Sequence, residues 1–555
     1  MEKTFYNELI ETLLKKKFSK QDLHKLKIKL CKKHKVKKIP TDIQILLHAN
    51  PEQISKLNLI TKPTRTISGV AVIAVMSYPF SCPHGKCTVC PGGPSSIFGD
   101  VPQSYTGKEP ATMRAIRNNY NAYLQVMNRL EHYIVMGHVP DKVELIVMGG
   151  TFPSFKKSYQ EKFITDCFQA MNDFSKLFFI KNKFNFKKFK KFFELPGNIE
   201  DKKRTKSIQK RLLRYKKKSL LTSEQKRNEK SNIRCVGLTL ETRPDYAFEK
   251  QANEMLRLGA TRVELGIQSV YEKPLKSIKR GHSVKDSTKS IRILKDMGFK
   301  INAHYMLGLP GTTQKQDLEG LKHLFENPDF KPDMLKIYPC MVMEGTKLYN
   351  QWKKKKYKPL TTKQAANIIA NFKKSVPEYV RIMRVQRDIP TYMTAAGVDK
   401  TNLRQYVHEI LKKNKIKCRC IRCREAGRGI IKSKPRIIIR EYEASEGIEL
   451  FISAEADDYV LGFLRLRFPS KQLRKEITKD SVLIRELHVY GPAVKLGKKG
   501  SIQHKGIGKL LLKTAEQITK QSKKKKIVII SGIGVRKYYK KLGYRKQGQY
   551  MVKNL

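Results

Sequence analysis

Apolar residues in the first sixty positions recur at helical spacing among lysines, as in Leu9-Ile10 with Leu13-Leu14 and in Leu23, Leu26 and Leu30. Pro40 and Pro51 break the run, so the period predicts a small helical region with a basic outer face over residues 1–65. From about residue 66 the period changes. Short unbroken apolar runs at 69–76, 143–148, 234–240, 262–267, 300–306 and 334–339 alternate with amphipathic helical stretches. Runs of that kind suit strands buried on both faces, and six of them predict an α/β domain over 66–395, a partial TIM-type (β/α)6 barrel. Ligand sites in such barrels collect at the C-terminal strand ends. A basic, cysteine-bearing linker over 396–435 follows. From residue 436 the pattern predicts antiparallel strands at 436–442, 448–454, 459–467 and 482–490, then a helix over 509–520 and a strand over 527–531.

Charge sharpens this picture. The 555 residues carry 114 Lys and Arg against 49 Asp and Glu, a formal net charge of +65, which points to a polyanionic partner and best to nucleic acid. No apolar run is long enough to span a bilayer and no signal-peptide core opens the chain, so the expected setting is cytoplasmic without membrane attachment. The segment 181–231 holds 19 Lys and Arg against 5 Asp and Glu, interleaved with Phe184, Phe186, Phe189, Phe192 and Phe193. Aromatic and basic content together suits single-stranded RNA, but the composition favours a flexible accessory loop.

Six of the ten cysteines fall in two tight groups, as metal ligation in a reducing compartment would have it, and Cys31, Cys167, Cys235 and Cys340 read as buried thiols. The first group, Cys82, Cys87 and Cys90, directly follows the first barrel strand. Three thiolates leave one metal position open, whereas a structural zinc site would need a distant fourth ligand. The second strand ends at Gly149-Gly150, where backbone can approach a ligand closely, and the third ends at Glu241 and Arg243. Glu264, Gln268, Ser269 and His304 take corresponding places further on. The second group, Cys418, Cys420 and Cys423, gives a zinc signal whose fourth ligand is not evident, His408 being the nearest histidine; Arg419, Arg422, Arg424 and Arg428 surround it. Near the C-terminus, Gln503-His504-Lys505-Gly506-Ile507-Gly508 opens a helix, placing free N–H groups and the helix dipole where a pyrophosphate would bind.

The cysteine loop from Cys82 to Pro94, the run Gln103-Ser104-Tyr105-Thr106-Gly107 with Glu109-Pro110, and Arg485-Glu486-Leu487-His488-Val489-Tyr490-Gly491 together resemble the catalytic subunit of Elongator. That family fuses a radical S-adenosylmethionine (SAM) domain to a GNAT acetyltransferase domain. The resemblance runs from about Lys62 to Leu555, with 181–231 as its main departure, and the loop spacing CxxxxCxxC differs from the CxxxCxxC of many radical-SAM proteins. It implies a [4Fe–4S] cluster on Cys82, Cys87 and Cys90, with SAM at Gly149, Gly150, Glu241, Arg243 and Gln268. It implies acetyl-CoA at Glu486, Leu487, His488, Val489, Gln503, His504, Lys505, Gly506, Ile507 and Gly508, a further contact at Lys142, and Tyr538 or Tyr539 as proton donor to the CoA thiolate. The implied reaction is SAM-driven activation of the acetyl methyl group and its addition to C5 of the wobble uridine of tRNA, giving 5-carboxymethyluridine. Implied partners are tRNA and either a second copy of the chain or other Elongator subunits. Two other readings are a protein lysine acetyltransferase with the barrel as scaffold, and a tRNA-binding subunit without turnover.

Overall fold

The computed structural model describes residues 2–16, 18–36, 39–57, 59, 69–197, 201–426, 431, 433–490 and 506–555. At the N-terminus, helices Glu2–Lys15, Lys20–Lys33, Asp42–His48 and Pro51–Lys56 enclose a small core of Phe5, Leu9, Ile10, Leu30 and Ile45. Ser19, Thr41 and Asn50 cap three of them by accepting backbone N–H bonds, so each start is set by the residue before it.

The barrel sheet contains β1 (Val70–Met76), β2 (Lys142–Met148), β3 (Arg234–Thr242), β4 (Arg262–Gln268), β5 (Lys300–Leu307), β6 (Met334–Pro339) and β7 (Arg381–Arg384). Every pairing is parallel and the strands lie in chain order. The pattern predicted the first six. The seventh is only four residues long with arginine at both ends, too short and too polar to register as a buried run. Because β1 and β7 are not paired to each other, the curled sheet stays open along one side.

Segment 181–231 departs from expectation. It is folded, as a short hairpin (Phe179–Ile180 with Lys183–Phe184) and helices Phe186–Phe192, Lys202–Tyr215 and Leu221–Asn228. Phe189 and Phe193 are fully buried against Phe174 and Phe178 of helix Lys157–Phe178, with ring centroids 4.9 to 6.3 Å apart. Rings so buried form a core and cannot stack on RNA bases.

The C-terminal sheet contains β8 (Arg436–Ala444), β9 (Gly447–Ala456), β10 (Tyr459–Phe468), β11 (Ser481–Val489), β12 (Lys526–Ile530), β13 (Arg545–Gln547) and β14 (Tyr550–Asn554), in the order β8-β9-β10-β11-β12-β14-β13. The pair β11/β12 is parallel, and it holds only from Ser481–Ile484 to Lys526–Ile529. Beyond Ile484 the two strands part, while β11 stays paired to β10 as far as Val489. A wedge opens between Glu486–Val489 and Ile530-Ser531.

The two domains meet over buried charge. Lys295, Asp296 and Asp333 from the barrel face Arg465, Arg467, Arg485, Glu449 and Glu486 from the C-terminal sheet, all buried, so four cations meet four carboxylates. Arg485 clamps Asp333 with both nitrogens and reaches Glu449 at 2.9 Å. Arg467 binds Asp296 at 2.6 and 2.8 Å, and Arg465 binds Glu486 at 3.0 Å and the Tyr379 carbonyl at 2.8 Å. Burial alone would raise the Asp333 carboxyl, but Arg485, Arg465 and Lys295 outweigh it and hold the group below its ordinary range. Among the described residues no helix is long and apolar enough to cross a membrane.

Removing one member leaves the others buried and unpaired, so Asp333→Asn is expected to destabilise the protein by about 3–5 kcal/mol in chemical denaturation. Since the folded-state value of Asp333 is depressed, its stabilisation is present above about pH 4 and fades as pH falls through that value. A neutral Asp333→Asn effect would contradict this role.

Candidate active site and metal centres

One cavity of about 1990 Å³ runs the length of the open barrel. Cys87, Cys90, Tyr105, Glu241, Gln268, Met306 and Tyr338 line its upper end. Lys142, Arg262, Lys300 and Arg381 line its lower end, where the wedge of the C-terminal sheet opens into it through Glu486–Tyr490, Gly506–Lys509 and Ser531. From Lys142 to Met148 along β2 is roughly 20 Å at ~3.3 Å per residue.

At the top, backbone bonds pin the cysteine loop, from Thr88 N to Ile278 O (2.9 Å) and from Leu348 N to Thr88 O (3.1 Å). Cys87 Sγ lies 3.0 Å from His84 Nε2 and receives Arg280 Nη1 at 3.7 Å, Cys90 Sγ accepts from Ser104 N at 3.0 Å, and Cys82 Sγ sits 3.8 Å from Thr151 Oγ1. Burial raises the thiols of Cys82 and Cys90, the latter to about 11, so a cationic ligand is needed to hold them as thiolates. A single tetrahedral ion with bonds of about 2.3 Å would draw three thiolates to roughly 3.8 Å of one another. Among the described residues only Cys418, Cys420 and Cys423 form such a compact set, all within 4.8 Å. Cys82, Cys87 and Cys90 converge more loosely, as thiolates on different irons of one cluster would, and this donor set fits a [4Fe–4S] group.

Gly149 (φ +125°) and Gly150 (φ +106°) turn the chain beside these cysteines. A Cβ on Gly149 would lie 2.3 Å from Ser77 Oγ. Glu241 accepts from Gly149 N and from Tyr105 Oη, each at 3.2 Å. Gln268 lines the cavity with a buried, unpartnered Oε1, available to a ligand. Arg243 is not brought to the cavity wall; it chelates Asp245 at 2.7 and 2.9 Å and keeps one buried Nη1 free. Below them His304 Nε2 meets Glu264 at 2.7 Å, and Lys336 bonds the same carboxylate. Burial opposes ionisation of Glu264, yet Lys336 and His304 hold it well below the carboxylate range, while burial and then Lys336 lower His304. The pattern had not singled out Lys336, although a lysine inside an apolar strand was the signal for it.

Leu487, His488 and Val489 line the wedge. Burial lowers His488 to about 4, so the ring is neutral at physiological pH. The Glu486 side chain instead turns to Arg465 and Lys300, leaving its backbone at the wedge. Gln503, His504 and Lys505 lie outside the described residues. Gly506, at φ +84°, starts helix Ile507–Gln521, and a Cβ on Gly508 would meet Tyr538 Oη at 3.0 Å, so this hydroxyl lies against the helix's first turn. Tyr538 is 36% exposed and Tyr539 only 7%, and burial raises both phenols, keeping them protonated.

In the linker, the Cys418, Cys420 and Cys423 sulfurs are joined not by His408 but by Lys373, whose Nζ lies 3.7 Å from Cys423 and 4.0 Å from Cys420. His408, on helix Leu403–Lys413, lines the main cavity and is not part of the compact three-cysteine set.

A curled parallel sheet with a convergent cysteine loop, joined to a sheet with a splayed parallel pair, defines a radical-SAM protein fused to a GNAT domain. Family models agree: ELP3 N-terminal domain over residues 2–67, Radical SAM superfamily over 77–324, Radical SAM C-terminal domain over 332–413, and Acetyltransferase (GNAT) domain over 439–554. The chain is 46% identical to a tRNA uridine(34) acetyltransferase of Methanocaldococcus infernus over 93% of its length and 92% of that protein. It is 40% identical to Elongator complex protein 3 of Schizosaccharomyces pombe over 96% of its length and 94% of that protein. The solved structure of the archaeal Methanocaldococcus infernus Elp3 with an N-terminal deletion superposes with a TM-score of 0.72 at 41% identity, covering 88% of this chain and 100% of that one. The chain belongs to the family of tRNA uridine(34) acetyltransferases and Elongator complex protein 3.

An alanine at Gly149 would force a side chain into positive φ and against Ser77, costing about 1–3 kcal/mol for the backbone alone. Gly149→Ala should therefore lower the melting temperature and weaken SAM binding in calorimetry; an unchanged protein would refute the tight turn.

Proposed function

We propose that the protein modifies the wobble uridine of tRNA at C5, joining the acetyl carbon of acetyl-CoA to the base and leaving a carboxymethyl group once the thioester is hydrolysed. One observation carries the reading: the cysteine loop and the acyl-CoA wedge open into a single cavity. Either site alone would serve a simpler enzyme. Their union suits a reaction that needs both.

Cys82, Cys87 and Cys90 would hold the [4Fe–4S] cluster, with Gly149, Gly150, Glu241 and Gln268 shaping the SAM site beside it. Bound there, cluster and SAM supply one-electron cleavage chemistry strong enough to take hydrogen from an unactivated methyl group. The remaining work falls to the chain. The N–H groups opening helix Ile507–Gln521 bind the CoA pyrophosphate, and the wedge beside Leu487–Val489 takes the pantetheine arm, which then points up the barrel. Lys142, at the lower end of β2, steadies the ligand where the domains meet. Of the two tyrosines Tyr538 is the more exposed and its hydroxyl lies against the first turn of helix Ile507–Gln521, so it delivers the proton to the departing CoA thiolate while Tyr539 packs behind it. Cys418, Cys420 and Cys423 hold a zinc ion that braces the linker, and the basic helices of residues 1–65 add RNA contacts.

The test is mass spectrometry of the wobble nucleoside after anaerobic reconstitution with iron and sulfide and incubation with tRNA, SAM, acetyl-CoA and reductant. 5-Carboxymethyluridine is expected, lost in Cys87→Ala. Tyr538→Phe should slow its formation by about 10²-fold or more and Tyr539→Phe far less. Acetylated lysine peptides in place of modified uridine, formed without SAM, would overturn the reading in favour of a protein acetyltransferase.

A further inference from the structure

Beside the open edge of the barrel stands a group of cations that the reaction above does not use. Helices Pro110–Arg117 and Ala122–Val135 pack on β1 and carry Arg114, Arg117 and Arg129 to the rim. Arg114, Arg129 and Tyr133 line the cavity there. Arg114 is 8% exposed; its Nη2 donates to the Ala74 carbonyl at 2.6 Å, while its Nε is buried with no partner. Arg129 lies 4.2 Å over the Tyr133 ring.

Among the described residues no carboxylate pairs with any of the three arginines. The neighbouring Glu131 is already held by Arg204 at 2.7 Å. His132 Nε2 and Asn128 Oδ1, on the same helix, are also buried without partners. Burial, followed by the positive charge of Arg114, Arg129, Arg117 and Arg204, lowers His132 to about 3, so its ring is neutral. Cations without a carboxylate in direct contact, one of them with a buried and unpartnered Nε–H donor, are costly unless an anion joins them, and planar guanidiniums suit a phosphate. Outside the rim, Gln209 Nε2 donates to the Arg117 carbonyl at 3.0 Å and ties in helix Lys202–Tyr215, whose Lys206, Lys210 and Arg214 are exposed on one shallow face.

We propose that Arg114, Arg117, Arg129 and His132 form a phosphate-binding site on the rim of the barrel opening, which takes a backbone phosphodiester of the RNA whose uridine enters the cavity. The proposal rests on RNA being the substrate. Lys206, Lys210 and Arg214 continue the track outward. The 3′-phosphate of CoA offers the same chemistry, but the outward track favours a polymer.

The test uses the full chain, a fluorescent anticodon stem–loop RNA in a salt series followed by anisotropy, and calorimetry with CoA. Arg129→Ala and Arg117→Ala should each weaken RNA binding by roughly tenfold and lower the slope of log K against log salt by about 1, with CoA affinity unchanged. Arg129→Lys should restore most of the slope. Melting temperatures check that each variant is folded; Arg114 is left intact because it also braces β1. Unchanged RNA affinity and slope would overturn the site, and loss of CoA affinity instead would assign it to the cofactor phosphate. Wild-type protein that fails to bind RNA at all would remove the substrate reading along with the site.

Discussion

The joint between the two domains depends on a buried weld of opposite charges. Four cations and four carboxylates, contributed from both sides, close the contact between barrel and C-terminal sheet, with Arg485 on Asp333 at its centre. A hydrophobic interface of the same size could slide or repack. A buried ionic one tolerates only the arrangement in which every charge is matched, because each mismatch leaves a bare ion in a low-dielectric interior. The weld fixes the direction in which the wedge between β11 and β12 opens, and therefore where a bound thioester ends. Arg485 and Glu486 belong to the weld while Leu487–Val489 belong to the wedge, so five consecutive residues of one strand serve both the joint and the ligand.

The barrel supplies the complementary asymmetry. Its upper end gathers cysteines, a glycine turn and the carboxylate of Glu241 together with Arg280 and Arg387, whereas its lower end and open rim are lined by Lys142, Arg262, Lys300, Arg381, Arg114 and Arg129. The Lys336–Glu264–His304 trio stands between them. In the proposed reaction a base would enter from the rim while its phosphates stay with the rim cations, and the CoA phosphates would stay at the helix start below.

Much of this was legible in the sequence. Long apolar runs marked six barrel strands, and the three-cysteine loop and the glycine-led helix start lie where the pattern put them, after the first barrel strand and at the head of helix Ile507–Gln521. What escaped detection did so for physical reasons. Strand β7 is short and its arginines pair with distant partners, Arg381 with Glu425 and with the Tyr490 hydroxyl, which periodicity cannot see. The lysine-rich segment 181–231 reads as loose because its outer face is charged, but Phe189 and Phe193 find a core on another helix. The chelation of Arg243 by Asp245, two residues on, is likewise set by a local fold the pattern does not show, and it leaves one buried Nη1 unpartnered. Lys373 comes from a distant helix end to lie close to two of the linker cysteine sulfurs. Tertiary pairing decides such cases, and local pattern carries no trace of it.

In the proposed reaction the acyl end of bound acetyl-CoA points into the barrel. An acyl-CoA with a photoreactive acyl group, bound to the intact protein and irradiated, tests this most directly through the positions of the crosslinks in its peptides. Attachment to barrel residues such as Glu144, Ile146 or Gly237 is the predicted result. Attachment confined to the C-terminal sheet and its outer surface would contradict it.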